Sequence, residues 1–166
     1  MVRRSPDRLR EPTDDLDDEA PDYLGTVLQS LVPRTLSHRA MSISVSTERD
    51  SYELGEPVEI SVTLFNRLPV PVEVVTTTQQ LWGWSVDGHP SAREEPLHIS
   101  EKPRAFTFDA RERRRFTRTW EGRIRREGTP RRWRSVDPGT HQIEAYLELT
   151  NRRVTDETTV ELRARS

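Results

Sequence analysis

The sequence predicts an all-β domain: an antiparallel sandwich of about eight short strands behind a flexible N-terminal tail. Three observations point there. Ile143, Ala145, Leu147 and Leu149 alternate with Gln142, Glu144 and Glu148, the period of a strand with one buried and one wet face. Turn signals recur roughly every 8–12 residues. No long amphipathic helix pattern lies within residues 41–166.

The elements follow in order. Residues 1–40 read as a flexible acidic tail, because Arg3, Arg4, Arg8 and Arg10 give way to Asp14, Asp15, Asp17, Asp18 and Glu19. Within it, Leu24, Val27, Leu28 and Leu31 have the spacing of one helical face, so a short helix is expected over 22–32, stopped by Pro33. Met41 stands directly before the first strand, and translation starting there is the alternative account of the tail.

The domain proper is expected over 41–166. Ile43 and Val45 alternate with serines, and Tyr52 to Pro57 is a turn broken by Gly55. Val58, Ile60, Val62 and Leu64 form the clearest strand, closed by Asn66. Val70, Val72 and Val74 resume the alternation. Leu81 to Val86 is a strand ending in the turn Asp87-Gly88. Residues 89–103 are irregular. Phe106 and Phe108 make a short strand, and Arg111 to Trp120 a longer one with Phe116 and Trp120 on one side. Residues 121–135 read as a polar, Arg-rich connection. Pro138-Gly139 turns the chain into the strand ending at Leu149, with Gly139 free to take positive φ. Asn151-Arg152 turns it again, and Val154, Thr158, Val160, Leu162 and Ala164 carry the last strand.

Composition narrows the function classes. There is no Cys, which removes disulfides, thiolate chemistry and Cys-ligated metals. No apolar run is long enough for a membrane helix and no signal-peptide core is present, so a cytoplasmic location away from membranes is expected. His38, His89, His98 and His141 have no metal-ligand spacing and read as surface residues. No nucleophile elbow, phosphate loop or zinc motif occurs. Neither an enzyme nor a cofactor is expected.

Two features invite a binding role. Trp82, Trp84, Trp120 and Trp133 read as core, with an exposed recognition patch as the alternative. The basic residues are 25 Arg and a single Lys, and residues 101–134 hold 13 basic against 5 acidic residues. The densest part supplies the candidate contact residues Arg123, Arg125, Arg126, Arg131, Arg132, Trp133 and Arg134. These arginines either pair with neighbouring strands carrying Glu56, Glu59 and Glu73, or meet an acidic protein partner, or contact nucleic-acid phosphates while aromatics stack on bases. An unidentified protein, acidic in character, is favoured over nucleic acid.

Several pieces together resemble the intracellular proteinase inhibitor (BsuPI) domain: Leu64-Phe65-Asn66, Gln80-Leu81-Trp82, Val86-Asp87-Gly88, Trp120-Glu121-Gly122 and Pro138-Gly139-Thr140. The match spans roughly residues 45–150. The resemblance implies an Ig-like sandwich and allows proteinase inhibition. Where that family has Pro-Gly-Glu, this chain has Asp109-Ala110-Arg111-Glu112. The acidic tail and near-absence of Lys also resemble haloarchaeal proteins. The expected role is therefore non-enzymatic protein binding, with proteinase inhibition and nucleic-acid binding through residues 111–134 as the alternatives.

Overall fold

A computed structural model describes residues 34–90, 100–126 and 132–165. Among them run one helix and twelve strands: α1 (Arg34–Ala40), β1 (Met41–Thr47), β2 (Ser51–Glu53), β3 (Val58–Asn66), β4 (Val72–Thr76), β5 (Gly83–Val86), β6 (His89–Pro90), β7 (Arg104–Phe108), β8 (Arg113–Trp120), β9 (Arg123–Arg126), β10 (Arg132–Ser135), β11 (Gly139–Leu149) and β12 (Arg152–Arg163).

The strands form a β-sandwich. One sheet has the order β1-β3-β8. The other runs β2-β12-β11-β4-β7, with β5 also pairing β11 and carrying β6. The pairings are antiparallel except that of β2 with β12. Strands β9 and β10 make a separate two-stranded sheet.

The alternation read from the sequence is the burial pattern of the fold. Val58, Ile60, Val62 and Leu64 of β3 face Ile143, Ala145 and Leu147 of β11, all fully buried. Phe108, Trp84 and Trp120 complete the centre. Removing this much apolar surface from water is the main term holding the two sheets together. Tyr146, on the wet side of β11, is half-buried. Gly139 has φ +144°, which glycine adopts without a steric penalty.

Three polar side chains fix the frame. Asn66 is fully buried; its Nδ2 donates to the Val70 carbonyl (2.9 Å) and the Asp109 carbonyl (2.8 Å), and its Oδ1 accepts from Leu68 N–H (3.0 Å). Two loops are thereby tied to the end of β3. Asp156 of β12 points inward, and its Oδ2 accepts the Val45 N–H of β1 at 2.8 Å. His141 Nδ1–H donates to Asp87 Oδ2 (2.6 Å), and Nε2 lies 2.8 Å from the Asp137 carbonyl oxygen.

Several expectations need correction. The eight expected strands are all present, but β2, β6, β9 and β10 add to them. β2 and β6 are too short to show a period, and the β9–β10 stretch is Arg-rich, with no apolar alternation to read. Within the stretch expected as a plain connection, Arg123–Arg126 and Arg132–Ser135 are therefore a pair of antiparallel strands, called the hairpin below. The expected tail ends early: α1 occupies 34–40, with Ser37, His38 and Ala40 buried. Of the histidines expected at the surface, His38 and His141 are buried. His38 Nδ1–H donates to Asn151 Oδ1, and its Nε2 accepts from Val75 N–H at 3.2 Å. His98, the helix expected over 22–32 and the rest of the tail lie outside the described residues.

Candidate protein-binding surface

The hairpin gathers the candidate contact residues. Its register sets Arg132 opposite Arg126, Trp133 opposite Arg125, Arg134 opposite Ile124 and Ser135 opposite Arg123. Six of the seven candidates therefore share one small sheet. The seventh, Arg131, lies outside the described residues.

The hairpin is anchored at its base. Trp120 Nε1–H donates to the Arg123 carbonyl (2.8 Å), and Val136 N–H to the Gly122 carbonyl (3.0 Å). Ile124 packs against the core cluster. Arg123 and Arg134 are exposed, and Trp133 is half-buried. Among the described residues, neither Arg123 nor Arg134 has a carboxylate partner. A cleft of about 490 Å³ opens beside the anchor, lined by Leu54, Pro57, Glu121, Gly122, Arg123 and Ser135.

Of the neighbouring glutamates, one has a partner among the described residues. Glu56 pairs with Arg49. Glu59 stands opposite Thr119, and Glu73 opposite Thr107. Among the described residues, no arginine of the segment pairs with these three carboxylates. Among the described residues, the close pair within the segment is Arg114 Nε with Glu112 Oε1, at 2.7 Å. That hydrogen bond, supported by the Asp109 N–H on Oε2 (2.6 Å), holds the Glu112 carboxyl below the usual carboxylate range against the opposing effect of burial.

The tryptophans divide. Trp82, Trp84 and Trp120 are buried, so they are core and not an exposed patch. Trp82 lies 5.3 Å from Phe116, and the Arg118 guanidinium is 5.1 Å above the Trp82 ring. Sequence reasoning missed the open side of β8. The signal was the alternation of Arg114, Phe116, Arg118 and Trp120 on its half-buried face with exposed Arg113, Arg115, Thr117 and Thr119. A cationic side chain on an inward position reads as a break in the pattern, although its stem and planar head pack well on aromatic rings.

Residues 29–163 match a family of unknown function (DUF7974). The chain belongs to this family. No curated protein matches it. Among solved structures, this member of the family is similar to a CARDB domain from Pyrococcus furiosus at 12% identity and TM-score 0.46, covering 74% of this chain and 94% of that one. It is similar to a β-glucosidase from Erythrobacter marinus at 16% identity and TM-score 0.46, covering 74% of this chain and 15% of the enzyme. It is also similar to the Pseudomonas fluorescens alkylpurine DNA glycosylase AlkC at 21% identity and TM-score 0.42, covering 85% and 36%. No helix among the described residues is long and apolar enough to cross a membrane.

Proposed function

We propose that this domain is a non-enzymatic protein-binding module whose β9–β10 hairpin receives an acidic partner. One observation carries the reading: the candidate arginines stand on a separate, anchored two-stranded sheet, and the exposed Arg123 and Arg134 have no carboxylate partner among the described residues. A rigid scaffold that presents cationic side chains such as Arg123 and Arg134 without a carboxylate partner among the described residues suits recognition and steers an oppositely charged partner. The hairpin needs no cofactor for this.

The test is a pull-down from the native host, at low and at high salt, with wild type beside a variant carrying Arg123→Glu, Arg125→Glu, Arg126→Glu and Arg134→Glu. The variant keeps its melting temperature, since exposed ion pairs contribute only about 0–1 kcal/mol each. It loses the partner. Unchanged capture by the variant overturns the reading. Capture of nucleic acid, with affinity that falls steeply with salt, would replace it with the phosphate-binding alternative.

A narrower form is the intracellular proteinase inhibitor. The resemblance to that family supports it, and so does one contact: Val136 N–H to the Gly122 carbonyl joins the stretches carrying Trp120-Glu121-Gly122 and Pro138-Gly139-Thr140. Slowed peptide-substrate cleavage by a captured proteinase, with the hairpin itself left uncut, is the result this form requires.

A further inference from the structure

The two edges of the three-stranded sheet differ. On the β1 side, the Ala40 carbonyl accepts from Arg67 N–H at 3.0 Å. The antiparallel alternation then turns the backbone groups of Val45 away from β3, where Asp156 takes its N–H. On the β8 side, the Glu112 carbonyl accepts from Asn66 N–H at 2.9 Å. The same alternation directs the backbone of Arg114, Phe116, Arg118 and Trp120 toward β3. It directs that of Arg113, Arg115, Thr117 and Thr119 to the open side.

Among the described residues, no strand pairs with β8 on that side. The only side chain of β8 that reaches back to it is Arg118, whose Nη1 donates to the Thr117 carbonyl at 2.8 Å. The four residues with outward backbone groups are exposed. Strand β8 is also strongly cationic. Arg113 lies over the Phe65 ring (3.8 Å) and Arg115 donates to Ser61 Oγ (3.1 Å), so neither is neutralised. Only Arg114 of this strand has a carboxylate partner among the described residues.

We propose that β8 is a strand-addition site for an extended acidic segment of a partner protein. The inference rests on the reading that the partner is acidic and names how it docks. The outward N–H and C=O groups supply the ladder, and alternate side chains supply the selection. Acidic residues two apart would stand beside Arg113 and Arg115 on the outer face. An apolar residue between them and onward would meet Phe116 and Trp82 on the inner face. A second copy of this chain is disfavoured in the register centred on Phe116. Antiparallel pairing of two β8 strands about Phe116 sets Arg114 against Arg118, like charges directly opposite.

The experiment uses the full chain and a labelled synthetic peptide that alternates glutamate and valine, with binding read by fluorescence anisotropy. Hydrogen exchange of the complex is measured alongside. The wild type binds, and exchange slows at Arg115, Thr117 and Thr119 amides while β3-paired amides of β8 keep their rates. Thr117→Pro removes one outward N–H, breaks no bond to β3 and leaves the charge unchanged. Its affinity falls about tenfold or more. A peptide alternating lysine and valine does not bind the wild type but binds the Arg113→Glu/Arg115→Glu variant, which tests the same edge if the proline variant fails to fold. Equal binding by a folded Thr117→Pro, or binding with no slowing at the outward amides, overturns strand addition while leaving an acidic partner on the hairpin intact. Absence of any peptide binding also overturns it, and the pull-down with the hairpin variant then decides the broader reading separately.

Discussion

Gly83 and Tyr146 stand directly opposite each other across the β5–β11 ladder, and a β-carbon on Gly83 would lie 2.5 Å from the Tyr146 ring. The ring covers the glycine and carries the Arg153 guanidinium 4.1 Å from its centroid on the wet face. Gly83→Ala must push the ring aside. We expect a loss of about 1–2 kcal/mol in denaturant unfolding, as for other overpacked sites. The loss largely disappears when Tyr146→Ala is made first. A double-mutant cycle with no coupling between the two sites would show that the ring does not rest on Gly83.

Asn66 satisfies three backbone groups from one buried side chain. Asn66→Leu keeps the branched shape and removes every bond. The expected cost is about 2–3 kcal/mol, because the Val70 and Asp109 carbonyls and the Leu68 N–H lose their partner. Faster proteolysis should appear first within 67–71 and 109–112, mapped by mass spectrometry of the fragments.

Helix α1 is part of the folded unit. His38 hydrogen-bonds to both Asn151 and the backbone of β4, so a chain beginning at Met41 leaves the Val75 N–H without its partner. We expect that chain, and His38→Ala in the full chain, to be destabilised by about 1–3 kcal/mol in urea unfolding. Equal midpoints for the Met41 chain and the full chain would restore residues 34–40 to the tail.

Glu112 makes stability sensitive to acid. Its carboxyl is held low by the bond from Arg114, so the folded state favours the ionised form. A lowered folded pKa contributes stability that is fully present above the unfolded value of about 4.3. That contribution is lost as pH falls through the folded value. Glu112→Gln should therefore be less stable than wild type near neutral pH, and the gap should close in acid. Unfolding midpoints taken at about pH 7 and about pH 3 check the sign. Glu56, held low by Arg49, titrates in both proteins and cancels in the difference.

The core was legible in the sequence because each central strand buries one face only. Val58 to Leu64 and Ile143 to Leu149 announced register as well as type. Trp82 and Trp84 also read correctly as core. The hairpin was not legible, since Arg123 to Arg126 and Arg132 to Ser135 are set by their pairing and by anchors at Trp120 and Val136. His38 escaped notice because its partners, Val75 and Asn151, are distant in sequence. Arg111 hid a turn: it has φ +58°, a left-handed conformation that glycine takes more readily, where the resembling family carries its Pro-Gly-Glu.

The bond from Val45 to Asp156 has a consequence for stoichiometry. A sheet with two receptive edges can pass strands from molecule to molecule and grow into a fibre. In the three-stranded sheet the β1 edge has its outward Val45 N–H taken by the Asp156 carboxylate, which withdraws a ladder donor from the middle of that edge and sets a charged side chain against it. Under the proposed strand addition, growth through this sheet is expected to stop at one donor per domain. Asp156→Ala removes the stop, and a rise in light scattering with protein concentration would report the growth that the carboxylate prevents.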